Sequence, residues 1–288
     1  MKWRRRAGRR SGPVLIAGLC AMALLAGACN SAGDATTSLE AVQNRGILRV
    51  VSDPNFAPQS YYDQLIGRWR GFDVDVATEI ARRLGVDVQF NSGVFEDVQA
   101  GNWQPEWDLS VGSMAITPQR AEVLDFTSPY SYDTAVAAVR PGSGVTAVAD
   151  LSGKRIGVTD GSTYEAYLQG TLDLPDQGPI PSAIDNPEIV KYTTDQDAID
   201  DLAAGNLDAV ISARPELQES IDHGTEIEIV GVPLFTEDLA AAVVKDAPLD
   251  PTSLVQKVSE IIDEMHADGT LSDLSEKWYG VDLTTKPA

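Results

Sequence analysis

The chain has 288 residues and a formal net charge of −21, from 43 acidic against 22 basic side chains. That balance argues against nucleic acid or anionic lipid headgroups as partners and leaves a mild bias toward cationic ligands. Its cysteines, Cys20 and Cys29, both lie near the amino terminus, so no disulfide is expected within the main body. Stability must come from burial, and the length is enough for one large or two medium cores.

Residues 1–28 read as an export signal. Lys2, Arg4, Arg5, Arg6, Arg9 and Arg10 precede an apolar run from Pro13 to Leu25, and small residues Ala26-Gly27-Ala28 stand directly before Cys29. The run is too short for a membrane span. Leu25-Ala26-Gly27-Ala28-Cys29 resembles a bacterial lipobox, which implies that Cys29 becomes the lipidated first residue of a protein anchored to the outer side of the cell membrane. A simple cleaved signal with an incidental cysteine is the alternative. Segment 29–45 is small and polar, and a flexible tether is expected there. No later apolar stretch reaches the roughly 20 residues a spanning helix requires.

From Gly46 the pattern becomes strand–helix alternation. Ile47 to Val51 predicts a strand. Asp73 is placed to cap a helix with an apolar stripe of Val76, Ile80 and Leu84, closed by Gly85. Short strands are expected at Val86–Phe90 and Trp107–Val111. Beyond Pro141, strand Arg155–Thr159 leads into the capping-box pattern Ser162-Thr163-Tyr164-Glu165. Asp195 is read as the cap of the next helix, which feeds a strand at Asp208–Ile211, and Glu226–Val230 and Leu239–Val244 follow as strands. The last long helix is expected to start at Asp250-Pro251, with Leu254, Val258, Ile261, Ile262 and Met265 as its stripe. Repeated βα units imply mostly parallel sheets covered by helices, with ligands outside the carboxyl ends of strands. That rule points to the loops after Ser52, Val111 and Thr159.

Enzyme signatures are scarce. The two histidines, His223 and His266, have no metal-ligand spacing, His223 being read as a turn residue and His266 as solvated. There is no nucleophile elbow, P-loop or dinucleotide fingerprint. Anion binding has better support. Thr117-Pro118-Gln119-Arg120 reads as a helix start whose free N–H groups and guanidinium converge on a carboxylate, and Gly161-Ser162-Thr163 offers a second such start.

Gly71-Phe72-Asp73-Val74-Asp75-Val76 resembles the signature of the bacterial family 3 extracellular solute-binding proteins, receptors of polar amino-acid ABC importers. The block from Asp108 to Arg120, continuing to Asp125-Phe126-Thr127-Ser128-Pro129-Tyr130, is similar to their longest shared stretch. Leu151 to Val158, Gly161 to Tyr167, and Asp268-Gly269-Thr270 through Lys277-Trp278-Tyr279-Gly280 continue the likeness, which spans about Gly46 to Gly280. The family implies two doubly wound α/β lobes joined by two hinge strands, the type II periplasmic-binding-protein architecture, with ligand in the cleft. Carried onto this chain, lobe 1 takes 46–134 and 238–288 and lobe 2 takes 135–237.

The resemblance also implies roles. Arg120 holds a ligand carboxylate, helped by the Ala115 backbone N–H and Thr163, with Ser113 and Ser162 lining the site. Phe56 and Phe95 cover the ligand's body, and Asp53, Thr159 and Tyr164 face its distal part. Two positions depart from the family: Ala115 replaces a hydroxyl, and Ala213 replaces the aspartate that pairs the α-ammonium. Either another acid has taken that role, Asp53 and Asp160 being nearest in the implied pocket, or the ligand has no free α-ammonium. The implied protein is a monomer that needs no metal or cofactor and delivers a carboxylate-bearing solute to an ABC permease. A receptor for a signalling protein and an extracellular dehydratase of the same fold stay open, the latter only if cleft acids donate protons.

Overall fold

The computed structural model describes residues 35–286; the export signal and Cys29 lie outside them. The main sheet has eight strands: β1 (Ile47–Ser52), β2 (Asp87–Ser92), β3 (Leu109–Ala115), β4 (Leu124–Val139), β5 (Arg155–Thr159), β6 (Glu188–Tyr192), β7 (Ala209–Ala213) and β8 (Glu228–Val244). Its order is β6–β5–β7–β4–β8–β3–β1–β2. The helices are α1 (Ser38–Arg45), α2 (Phe72–Leu84), α3 (Phe95–Gln99), α4 (Thr163–Gln169), α5 (Asp195–Ala203), α6 (Arg214–Asp222), α7 (Thr252–Ala267) and α8 (Thr270–Tyr279).

Strands β2, β1 and β3 are parallel, as are β6, β5 and β7. Beside each trio lies an antiparallel strand arriving from the other half of the molecule: β8 against β3, and β4 against β7. The two crossover strands also pair with each other along their length. This is the two-lobed α/β architecture, with β4 and β8 as the hinge strands. The sequence predicts two strands for β8, Glu226–Val230 and Leu239–Val244, where the structure has one, and Gly231-Val232-Pro233 lie between them. In the fold these residues sit at a register irregularity between Val230 and Phe235, and the strand continues through it.

Period-2 alternation assigns the cores. On β4, Ala135, Ala137 and Val139 face one apolar cluster of the second lobe while Val136 and Ala138 face the other. In the first lobe, Leu48 and Val50 pack under α2, α7 and α8, and Val51 faces a smaller cluster around Val98, Met114 and Trp107. The α7 stripe is buried as its spacing predicts. Burial on both sheet faces is what makes the parallel strands read as continuous apolar runs.

Several local expectations are corrected. Residues 38–45, expected to belong to a flexible tether, instead form α1, a capped helix of the first lobe. Thr37 caps it with a reciprocal bond to Glu40, and Val42 is fully buried in the main core. Gly71, not Asp73, precedes α2. Its φ is 131° and a Cβ there would lie 2.2 Å from the Gln59 carbonyl oxygen, so only glycine fits where the small antiparallel strands Ser60–Asp63 and Arg68–Arg70 lead into the helix. Asp73 is instead a buried acid. Thr194 caps α5, which leaves Asp195 in the first turn. Pro251 is the cap of α7 rather than its first residue. His266 is not simply solvated, since its Nε2 lies 2.9 Å from the Pro129 oxygen. Among the described residues, no helix is long and apolar enough to cross a membrane.

Candidate functional site

Helix starts and strand ends from both lobes meet at one cleft. Its inner cavity is lined by Asp53, Phe56, Phe95, Ser113, Ala115, Arg120, Thr159, Ser162, Thr163 and Tyr164. All ten residues singled out from the sequence therefore come together. Gly112, Asp195 and Glu237 complete the wall. A wider outer depression, lined among others by Gln99, Gln119, Asp160 and Lys191, adjoins it at Arg120, Ser162 and Thr163.

Arg120 is the central cation of this wall. It is 96% buried, and no carboxylate among the described residues forms an ion pair with it. Nη1 donates to the Ala115 oxygen at 2.9 Å, and Nη2 donates across the cleft to the Gly161 oxygen at 3.1 Å. The guanidinium lies 5.1 Å from the centre of the Phe95 ring, so this aromatic braces the arginine as well as lining the cavity. Burial lowers its pKa to about 10, which leaves it charged at neutral pH. The expected helix start at Thr117 is only a three-residue 3-10 turn, Arg120–Glu122. The Thr117 hydroxyl still accepts from the Arg120 N–H at 3.1 Å. A helix dipole therefore contributes little on this side, and the guanidinium fork carries the anion chemistry.

On the opposite wall Ser162 does cap α4, accepting from the Glu165 N–H at 3.2 Å. Thr163, expected to help hold a carboxylate, donates its hydroxyl to Glu237 Oε1 at 2.5 Å. Gly161, at φ 72°, brings its backbone against the first lobe: a Cβ there would lie 2.9 Å from Gln99 Nε2. The lobes thus touch at Gly161 through both Arg120 and Gln99.

Ser113 forms the cleft floor in a strained conformation, with φ 47°. A buried network holds it there. Its N–H donates to Tyr130 Oη at 2.8 Å, its hydroxyl contacts both Asp73 carboxylate oxygens at 3.0 Å, and Tyr130 donates to Asp73 Oδ1 at 2.8 Å. Burial pushes the Asp73 carboxyl up to about 7 against those hydrogen bonds. The acid in the Gly71-Phe72-Asp73 motif therefore shapes the floor from beneath.

The cavity's remaining charge is negative. Asp53 is raised to about 6, chiefly by burial, while accepting from the Asn55 N–H at 2.8 Å. Burial also raises Asp195 and Glu237. Asp160, one of the two acids nearest in the pocket implied by sequence, points elsewhere: it binds Lys191 at 2.6 Å in the outer depression. Ala213 is buried opposite Ala135 and takes no part in the cavity wall. Asp195 and Glu237 were the acids sequence reading missed. The rule that ligands sit outside strand ends applies to β6 as well, and Asp195 is three residues beyond it.

The family model for bacterial extracellular solute-binding proteins, family 3, matches residues 48–281. The L-cystine-binding protein TcyJ of Escherichia coli (strain K12) is 27% identical over 275 residues, covering 95% of this chain and 97% of its own. An ancestral arginine-binding protein solved with arginine is 30% identical with a TM-score of 0.70, over 82% of this chain and 99% of its own. An ancestral amino acid-binding protein described as a precursor of cyclohexadienyl dehydratase is 25% identical with a TM-score of 0.72, over 84% and 100%. With the two-lobed fold and a cleft built at strand ends, the chain belongs to the bacterial extracellular solute-binding proteins of family 3.

Proposed function

We propose that this chain is a lipid-anchored, extracytoplasmic receptor that captures a carboxylate-bearing solute, an amino acid or a derivative, and delivers it to an ABC importer permease. The observation that carries the reading is Arg120, a buried guanidinium on the cleft wall with no ion-pair partner and only two of its five N–H donors engaged. A buried cation of this kind is costly without an anion, and a ligand carboxylate supplies one. The relatives' names support the class, since cystine and arginine are both α-amino acids.

In this reading the ten predicted wall residues contact the ligand. Segments 46–134 and 238–288 move against 135–237 about the crossover strands, with α1 riding on the first segment. The hinge positions fall near the paired residues Asp133 and Glu237. The protein acts as a monomer, and its ligand-closed form is what the permease recognises. A thermal-shift screen over amino acids, amines and compatible solutes tests the capture step. Ligand at a hundred times its dissociation constant adds about 2.7 kcal/mol of stability, and a screen in which no amino acid shifts the transition rejects the proposal.

A dehydratase is the second reading, favoured by one observation: two acids of raised pKa, Asp195 and Glu237, stand on the cavity wall where proton donors would act. Incubation with a cyclohexadienyl acid separates the two, because a receptor leaves it unchanged.

A further inference from the structure

Arg120 and Asp195 line the same cavity from opposite lobes, and neither is ion-paired to any described residue. Asp195 stands in the first turn of α5 and is 92% buried. Its Oδ2 accepts the Thr159 hydroxyl at 2.6 Å. Its Oδ1 is buried without any hydrogen-bond partner. The hydroxyl behind it, that of Ser212, is contested by a second acid. Ser212, which lies beside Asp195, donates its hydroxyl to Glu216 Oε2 at 2.9 Å, and Glu216 Oε1 is itself buried and unpartnered. The other two cavity acids also accept one bond each, Asp53 from the Asn55 N–H and Glu237 from the Thr163 hydroxyl, but neither has a buried oxygen left without a partner. A carboxylate oxygen with no donor is expensive in a buried wall unless a cation meets it.

Resting on the reading of the cleft as an amino-acid site, we infer that Asp195 is its cation-binding residue, taking a protonated nitrogen of the ligand on Oδ1 while Arg120 takes the carboxylate. The bound solute then bridges the lobes, anion to the first and cation to the second, and closure brings both charges to their partners at once. The position of Asp195, on the helix after β6 rather than at the end of β7, accounts for the alanine at 213. Ligands lacking a protonated nitrogen leave the acid unpaired and are rejected by this wall.

Calorimetry on the full chain tests this, using the twenty standard L-amino acids and L-cystine as probes. For each that binds wild type, analogues lacking one protonated nitrogen at a time are compared, with Arg120→Ala, Asp195→Asn and Asp53→Asn beside wild type. Asp195→Asn should weaken the amino acid by thirtyfold or more, and that loss should vanish with the analogue lacking the nitrogen it reads. If the asparagine variant fails to fold, Asp195→Ser, smaller and neutral, gives the same comparison. Binding by Asp195→Asn within threefold of wild type, a loss equal for every analogue, or a loss that follows Asp53→Asn instead overturns the inference. Should Arg120→Ala abolish binding in any of those cases, the proposed function survives without it. Wild type that binds none of the probes removes both.

Discussion

Removing the guanidinium of Arg120 is the most demanding test of the cleft. In the structure this side chain is 96% buried, donates to carbonyls on both lobes, and lies over Phe95. Arg120→Ala would leave a bound carboxylate desolvated and without its cation, a loss of about 3–5 kcal/mol. At about 1.4 kcal/mol per decade this is a weakening of more than a hundredfold. Arg120→Lys restores the charge but not the shape. One ammonium cannot reach the Ala115 and Gly161 oxygens and also present two parallel donors to a carboxylate, so at least roughly tenfold should still be lost. Titration calorimetry with the amino acid chosen by thermal shift gives both numbers. Circular dichroism checks that the variants fold, since unpairing two carbonyls costs only about 1–3 kcal/mol each. A folded Arg120→Ala variant that binds within threefold of wild type would refute the assignment of the carboxylate.

Three further outcomes are expected. Cys29→Ala, expressed in a bacterium, should move the protein from the detergent phase to the soluble or secreted fraction; retention in membranes counts against lipidation. X-ray scattering should give a smaller radius of gyration with ligand than without, and an unchanged radius at saturation refutes hinge closure. The ligand-free protein should lose stability as pH rises from about 4 through 7. Asp53 and Asp73 are raised by burial from 3.8 to about 6 and about 7, so across that window the folded state holds protons that the unfolded chain has released. Glu79, held near 2 chiefly by Arg82, and Asp268, held near 2 chiefly by Thr270, have the opposite dependence, but it lies mostly below that window. Asp73→Asn should flatten the profile by on the order of 2–4 kcal/mol, and urea unfolding that shows greater stability at pH 8 than at pH 5 contradicts it.

Much of the cleft was legible because its residues sit in local patterns with a mechanism. Arg120 follows Thr117-Pro118 and Ser162 opens a capping box, while Phe56 and Phe95 came only from the family resemblance. What local patterns left out is burial. Asp73, Asp195 and Glu237 were indistinguishable in sequence from the many acids that cap helices or solvate surfaces in a chain with 43 of them. Thr194 and Asp195 both suit a helix start, and the structure gives the cap to Thr194, which frees Asp195 to face the cavity. Glu237 lay inside what read as a gap between two strands. Its side chain enters the cleft only because β8 runs unbroken from one lobe to the other beside β4. The α1 segment failed in the opposite direction: composition said tether, but Thr37, Glu40 and Gly46 cap a helix that buries Val42 and packs Leu39 against the main core. Two apolar side chains with good caps are enough to dock two turns of helix when the lobe's core already offers the groove. The acids follow the same logic with opposite sign. A wall that buries Asp195 with one oxygen unpartnered is stable enough to persist because the lobes around it are held by their own cores, and the unmet oxygen is left for the solute to neutralise.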